Sequence, residues 1–181
     1  MNPTEPVPEL VPTSSALVAL VKQLVECVWP RSEEEREASF RELGFESGAE
    51  FERGQYASNT KSYALSTILP GEVFGSWCSF NGNFMGINLQ TYSVMEPESP
   101  TARRGHDEIQ SQLTALYGEP IRPWDDEEFP PSIWEVNGRE IVMHFFHLRD
   151  SGVMLSIDDS ELAAAAEAQA TARSQNEPPR L

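Results

Sequence analysis

The chain has three histidines, and two of them have a spacing that could bind a metal ion or exchange protons. His144 and His147 are three residues apart, which on a helix would place both rings on one face, as in many zinc sites. They lie in a strand-like run, however, where side chains three positions apart point to opposite faces of a sheet. His106 falls on the apolar stripe of a predicted helix, which favours a packing role. The sequence therefore predicts neither a metal site nor another cofactor.

The patterns for nucleophilic and calcium chemistry are equally incomplete. Cys27 lies in an apolar helical run and Cys78 in an apolar strand-like run, which favours buried thiols in a reducing compartment over a disulfide framework. The acidic run Asp125-Asp126-Glu127-Glu128 lacks the alternating ligands and the central glycine of an EF-hand, so we interpret it as a solvated loop. No phosphate-binding or dinucleotide-binding glycine pattern is present. An enzyme is the less favoured class.

An Asn-Gly pair at positions 81 and 82 lies between two strand-like runs and predicts a β-hairpin. Asn-Gly favours a type I′ turn because both central residues of that turn need a positive φ. With a two-residue loop, the predicted core-facing pairs are Phe74 with Leu89, Ser76 with Ile87, and Cys78 with Met85. The opposite face would then hold Trp77 across from Gly86, together with Phe84, Asn88, Gln90 and Tyr92.

This second hairpin face is the strongest candidate for a binding surface. It combines large aromatic rings with amide side chains, which is the composition of an interface with an apolar centre and a polar rim. The alternative is that a helix of the same chain covers it. The predicted partner-binding residues are those of this face and the acidic loop: Trp77, Phe84, Asn88, Gln90, Tyr92, Asp125, Asp126, Glu127 and Glu128.

The formal charge of −16 on 181 residues limits the partners that the chain can bind. Nucleic acids and anionic membranes need a basic surface, so neither is an expected partner. An acidic surface instead attracts basic proteins and raises their association rate, although acidity can also serve solubility alone. The apolar run at 16–28 is interrupted by Lys22 and Glu26 and is too short to cross a bilayer. The sequence predicts a cytoplasmic protein.

The predicted fold class is α+β, with an antiparallel sheet built from two Asn-Gly hairpins. The order of elements is α-α-β-β-β-α-β-β-β-α, and the second hairpin turns at Asn137-Gly138. Capping residues place the second helix between Ser32 and Gly44, and the third helix starts with Ser99 as its cap and Pro100 as its first residue. The run 141–148 is apolar apart from its histidines, which predicts a central strand covered on both sides. The predicted organisation is a disordered tail (1–12), one globular domain (13–160), a C-terminal helix (161–172) and a second disordered tail (173–181).

The helix end Leu116-Tyr117-Gly118-Glu119-Pro120, followed by Trp134 and the closing run Val153–Ile157, resembles small acidic bacterial α+β proteins. The similarity extends over roughly 14–160. The proteins that the chain resembles include those with the secretion-chaperone-like fold and actinobacterial immunity-type domains found beside polymorphic toxins. This resemblance implies a protein-binding function. It assigns no functional residue, because each member of such families is defined by the partner it binds.

Two functions therefore remain as hypotheses. The first is a non-enzymatic acidic module that binds a cognate protein, as an immunity protein or a secretion chaperone does. The second is a small hydrolase or ligand-binding domain that uses His106, His144 or His147 in a pocket between helix and sheet. A homodimer is also possible, because a symmetric copy could cover an open aromatic face.

Overall fold

One antiparallel sheet of seven strands organises the computed structural model, which describes residues 6–52, 59–123 and 128–176. The helices are α1 (Ser14–Glu26), α2 (Glu33–Leu43), α3 (Pro100–Tyr117) and α4 (Ser160–Asn176). The strands are β1 (Glu46–Glu50), β2 (Thr60–Ser66), β3 (Val73–Phe80), β4 (Asn83–Val94), β5 (Ser132–Val136), β6 (Arg139–Phe146) and β7 (Ser151–Asp159). Across the sheet the order is β1-β2-β3-β4-β7-β6-β5. The α+β class and the element order are confirmed, with β1 as an additional strand.

Local capping chemistry sets the ends of the helices. The Ser32 hydroxyl accepts a hydrogen bond from the Glu35 backbone N–H at 3.1 Å, and Gly44 ends α2 with a φ of 70°. In α3, Ser99 caps the start and Pro100 takes the first turn, where its missing N–H costs nothing. Each of these positions was expected from the sequence.

The helices α1, α2 and α3 contribute to one hydrophobic core on a single face of the sheet, which we call the helix face. Leu17 and Leu24 of α1 meet Ile109 and Leu113 of α3 and the inward side chains of β4 and β7. Each fully buried leucine or isoleucine contributes about 1.5–3 kcal/mol relative to an exposed one. This face therefore holds the fold together.

The N-terminal segment does not form a free tail over residues 6–12. Leu10 is buried in the core, and the Tyr92 hydroxyl donates a hydrogen bond to the Pro12 carbonyl at 2.7 Å. Arg104 of α3 donates a hydrogen bond to the Pro8 carbonyl. The predicted disorder of 1–12 is wrong for these residues because their apolar side chains and carbonyls find partners, and 1–5 lie outside the described residues.

The C-terminal helix is longer than predicted. It runs to Asn176, so the described part of the predicted tail at 173–181 is helical. None of the residues of α4 is buried. Its alanine-rich composition explains the helix, since alanine has the highest helix propensity.

The second hairpin packs against the C-terminal end of α1. Its turn follows the expected two-residue loop, with Val136 paired to Arg139. Arg139 donates hydrogen bonds to the carbonyls of Val25 and Cys27, both at 2.9 Å. These carbonyls have no partner within the helix, and a cation at a helix C-terminus is favoured.

The strand β6 lies between β5 and β7 but is covered on one side only. Ile141, Met143 and Phe145 are buried on the helix face. On the opposite side, Val142, His144 and Phe146 are half-buried. The expectation of a strand covered on both sides is therefore wrong, because apolar composition alone does not show which elements pack against it.

Candidate functional site

The first hairpin contains a β-bulge that shifts its pairing by one residue. Trp77 pairs with Ile87 and Cys78 with Gly86, whereas Ser79 pairs with Phe84. The strand β4 therefore has one residue more than β3 at this point. The predicted pairs of Phe74 with Leu89 and of its neighbours are wrong. A bulge changes the register, and a one-residue shift exchanges the two faces of a strand.

The predicted aromatic residues consequently lie in the core. Trp77 is 5% exposed, and Phe84 and Tyr92 are each 9% exposed. Phe40 of α2 packs edge-on against Trp77 at 5.6 Å and against Phe84 at 5.7 Å between ring centroids. A helix of the same chain therefore covers these rings, as in the alternative to a binding surface.

The other predicted partner-binding residues lie elsewhere. Asn88 and Gln90 are half-buried on the sheet face opposite α1, α2 and α3, which we call the outer face. Glu128 is near His147, with 3.8 Å between carboxylate and ring, at the side of the sheet where Phe129 and Phe145 pack. Asp125, Asp126 and Glu127 lie outside the described residues. The described residues of the predicted set therefore do not form one surface.

The register aligns the outer-face residues in rows across the sheet. The first row is Ser62, Cys78, Gly86, Asp158, Glu140 and Glu135; the second is Ala64, Ser76, Asn88, Ser156, Val142 and Ile133; the third is Phe74, Gln90, Met154 and His144. Phe74 is 64% exposed and Met154 is 36% exposed. Toward the first turn Phe80 is buried, so the open area lies over the middle of the strands.

Three carboxylates stand side by side in the first row, on the strands β7, β6 and β5; we call Asp158, Glu140 and Glu135 the acidic row. Burial, and secondly the charge of Glu140, raises the pKa of Asp158 to about 7. Burial, followed by the charges of Glu135 and Glu167, raises the pKa of Glu140. These carboxylates therefore repel one another across the strands.

Gly86 makes room for the acidic row. A Cβ atom at this position would lie 1.7 Å from Asp158 Oδ1 and 2.8 Å from the Ile157 carbonyl oxygen. The Asp158 carboxylate therefore rests over the bare backbone of β4. The predicted pairing of Gly86 with Trp77 is wrong, because its neighbours on the outer face are Cys78 and Asp158.

The histidines lie on both sides of the sheet, with His106 and His147 against the same Phe145 ring. His106 is 7% exposed on the helix face, where its Nδ1 lies 3.0 Å from Asp107 Oδ1. Burial lowers the pKa of His106, although the hydrogen bond to Asp107 opposes that shift. His144 faces the outer side and His147 stacks beside Phe145. Among the described residues no group of three His, Cys, Asp or Glu side chains could hold a metal ion.

A cavity of about 300 Å³ opens between the start of α2 and the strands β2 and β3; we call it the α2 cavity. Its lining contains both charged and aromatic side chains: Arg31, Ser32, Glu33, Arg36, Asn59, Lys61, Tyr63, Trp77, Ser79, Gly82 and Phe84. Trp77 and Phe84 thus line a cavity rather than an exposed surface. No local sequence signal marks Arg36, Lys61 and Tyr63 as site residues, because their proximity depends on the packing of α2 against β3.

Comparisons of the chain with protein-family models, with curated proteins and with solved structures give no match. Within the described ranges, no helix combines the length and the apolar character needed to cross a membrane. The chain is thus an α+β protein with a half-covered antiparallel sheet, and its function must be argued from its own residues.

Proposed function

We propose that the protein is a non-enzymatic module that binds a basic partner protein on the outer face of its sheet. The observation that carries the proposal is the composition of that face, since α1, α2 and α3 all pack on the other side and α4 approaches this face only where its Glu167 lies near Glu140 among the described residues. Its exposed centre combines Phe74 and Met154 with the amides Asn88 and Gln90. Apolar anchors among polar groups are typical of protein interfaces.

The acidic row supports a basic partner over a neutral one. Asp158 and Glu140 are carboxylates held close together, and their raised pKa values reflect burial and the charges of neighbouring acidic side chains. An arginine or lysine from a partner would relieve this repulsion and would form charge-assisted hydrogen bonds. The formal charge of −16 would also steer such a partner toward the protein.

The same charge argues against a second copy as the occupant. In a symmetric dimer through the outer face, two acidic rows would approach each other, and like charges at an interface are costly. A basic partner protein would instead bring positive charges to the acidic row, and opposite charges at an interface attract. The resemblance to immunity proteins and secretion chaperones agrees with such a partner. A bacterial cytoplasmic location is part of this proposal, and it agrees with Cys27 and Cys78 forming no disulfide with each other.

The test compares two variants with the same change of formal charge. The outer-face variant is Glu135→Gln, Glu140→Gln and Asp158→Asn; the control on the exposed side of α2 is Glu34→Gln, Glu37→Gln and Glu42→Gln. The partner is first isolated from the native host as a stoichiometric complex, and its affinity is then measured by calorimetry. We expect the outer-face variant to weaken binding by about tenfold or more and the control by less than about twofold.

The outer-face variant removes repulsion within the protein, so it should remain folded, and weaker binding would not result from unfolding. Equal affinities for the two variants would contradict the proposal. So would the absence of any stoichiometric partner in the native host. A homodimer that dissociates in the outer-face variant would identify a second copy as the occupant and would also overturn it.

A further inference from the structure

We propose that the α2 cavity binds a small aromatic carboxylate, independently of the outer face. The cavity has a volume of about 300 Å³, which is at the lower end of the roughly 300–1,000 Å³ of ligand pockets. That size suits a single ring with one charged group. Three features support this ligand class. They are the positive charge of the cavity lining, its aromatic side chains, and the Glu33 carboxylate that already binds there.

The α2 cavity is a cationic region of an acidic protein. Arg31, Arg36 and Lys61 line it, with Glu33 as the one carboxylate among its described lining residues. The chain as a whole carries 13 basic and 29 acidic residues, so this local excess of positive charge is unusual for it. The N-terminus of α2 adds its partial positive charge at the same place. An anion is therefore the favoured occupant.

Arg36 is held in a position to bind a carboxylate. It is 7% exposed, and its guanidinium lies 4.6 Å from the Trp77 ring centroid and 4.8 Å from that of Phe40. A guanidinium packed between rings keeps a fixed plane, and it can bind a carboxylate through two parallel hydrogen bonds. Little side-chain freedom would then be lost when a ligand binds.

The Glu33 carboxylate already binds the Arg36 guanidinium, as a ligand carboxylate would. Its Oε1 accepts a hydrogen bond from Arg36 Nε at 3.0 Å, and this bond lowers the pKa of Glu33. The Glu33 side chain is 69% exposed. It can therefore turn into solvent and leave the guanidinium to an incoming carboxylate, which would replace the hydrogen bond that Glu33 gives up.

Aromatic rings supply the apolar part of the wall. Tyr63 stacks on Trp77 with 4.3 Å between ring centroids and 16° between ring planes, and Phe84 completes this side. The Trp77 indole N–H donates to Ser47 Oγ at 2.8 Å, which fixes the ring. A flat ring on the ligand would contact these side chains, whereas inorganic phosphate would not.

The probe is benzoate, with benzamide as a neutral analogue and inorganic phosphate as an anion without a ring. The indole N–H resonance of Trp77, identified with the Trp77→Phe variant, is followed by NMR during titration of the full chain. We expect saturable shifts with benzoate at millimolar concentrations, the affinity range of fragments of this size. Benzamide and phosphate should produce markedly weaker shifts.

The chain offers a matched pair of variants, because Lys22 and Lys61 are its two lysines. Lys61→Gln should weaken benzoate binding by about threefold, the effect of one solvent-screened charge. Lys22→Gln removes the same charge from α1, outside the cavity, and should leave the affinity unchanged. Glu33→Gln should strengthen binding by about threefold, because it removes the competing carboxylate.

Four results would overturn the proposal. They are the absence of a saturable Trp77 shift with benzoate, equal binding of benzamide or phosphate, equal effects of Lys61→Gln and Lys22→Gln, and no gain of affinity in Glu33→Gln. Saturable benzoate binding with the predicted order of variants would support it, whatever the outcome for the outer face.

Discussion

The two faces of β3 and β4 come from alternating residues of the same strands, yet they have opposite properties. On the helix face, Trp77, Ile87 and Leu89 are 5%, 1% and 0% exposed. On the outer face, Phe74 is 64% exposed and Asn88 is half-buried. Strand composition alone does not separate the two faces, since each contains aromatic and polar residues. What separates them is the helix layer on one side.

The faces also differ in how their charges are satisfied. On the helix side, Arg139 donates to the carbonyls at the end of α1, and Arg36 donates to Glu33. On the outer side, Asp158 and Glu140 are adjacent carboxylates whose pKa values are raised by burial and by neighbouring acids. The helix face thus provides stability, and the outer face keeps an electrostatic cost that a partner could remove.

The largest expected change in stability comes from substituting one aromatic residue on each face of β3. Trp77→Ala should lower the free energy of unfolding by about 3–5 kcal/mol, because it leaves a cavity among Phe40, Tyr63 and Phe84. Phe74→Ala should lower it by less than about 1 kcal/mol, since an exposed side chain has little packing to lose. Urea denaturation monitored by circular dichroism measures both values. Equal losses would contradict the assignment of the two faces.

The turns and helix ends of this fold could be predicted because their causes are local. Asn81 and Asn137 have φ values of 50° and 51°, as type I′ turns require. Ser32 and Ser99 cap their helices through bonds to residues three positions away. Such signals lie within a few residues of sequence, so they could be interpreted without knowledge of the tertiary structure.

The bulge could not be predicted from the sequence, and it moved the aromatic residues of the predicted binding face into the core. It adds one residue to β4 beside Cys78 and Ser79, and nothing in the local sequence separates it from a regular hairpin. A second irregularity turns Tyr92, with a φ of 56°, toward Pro12. Both depend on packing against distant elements. The acidic row was missed for the same reason, because Glu135, Glu140 and Asp158 become neighbours only through the strand order.

A second prediction concerns the contact between β4 and the acidic row. Gly86→Ala should lower the free energy of unfolding by about 1–3 kcal/mol, because the new methyl group would overlap Asp158 Oδ1 and approach the Ile157 carbonyl. Asp158→Ala in the same chain should recover part of this loss, since it removes the side-chain overlap but leaves the backbone contact. A double-mutant cycle from urea denaturation measures the coupling. If the two losses simply add, Gly86 and Asp158 do not meet on the outer face.

The smallest predicted effect is a pH dependence that belongs to the outer face. The pKa of Asp158 is raised from its ordinary value of 3.8 to about 7 in the folded protein. The folded state therefore binds this proton more tightly than the unfolded state does. The contribution of Asp158 to the free energy of unfolding should fall as the pH rises from about 4 to 7 and should stay low above that range.

Asp158→Asn removes this titration, so its stability relative to the unmodified chain should rise between pH 5 and pH 8. We expect a rise of about 1 kcal/mol, a value reduced for the partial exposure of the carboxylate. Urea denaturation at the two pH values measures it, with Glu72→Gln, at an exposed position before β3, as the control. A relative stability that does not change with pH would mean that Asp158 carries no electrostatic cost in the folded protein. The outer face would then have no repulsion for a basic partner to relieve, and the difference in charge between the two faces would have no consequence for binding.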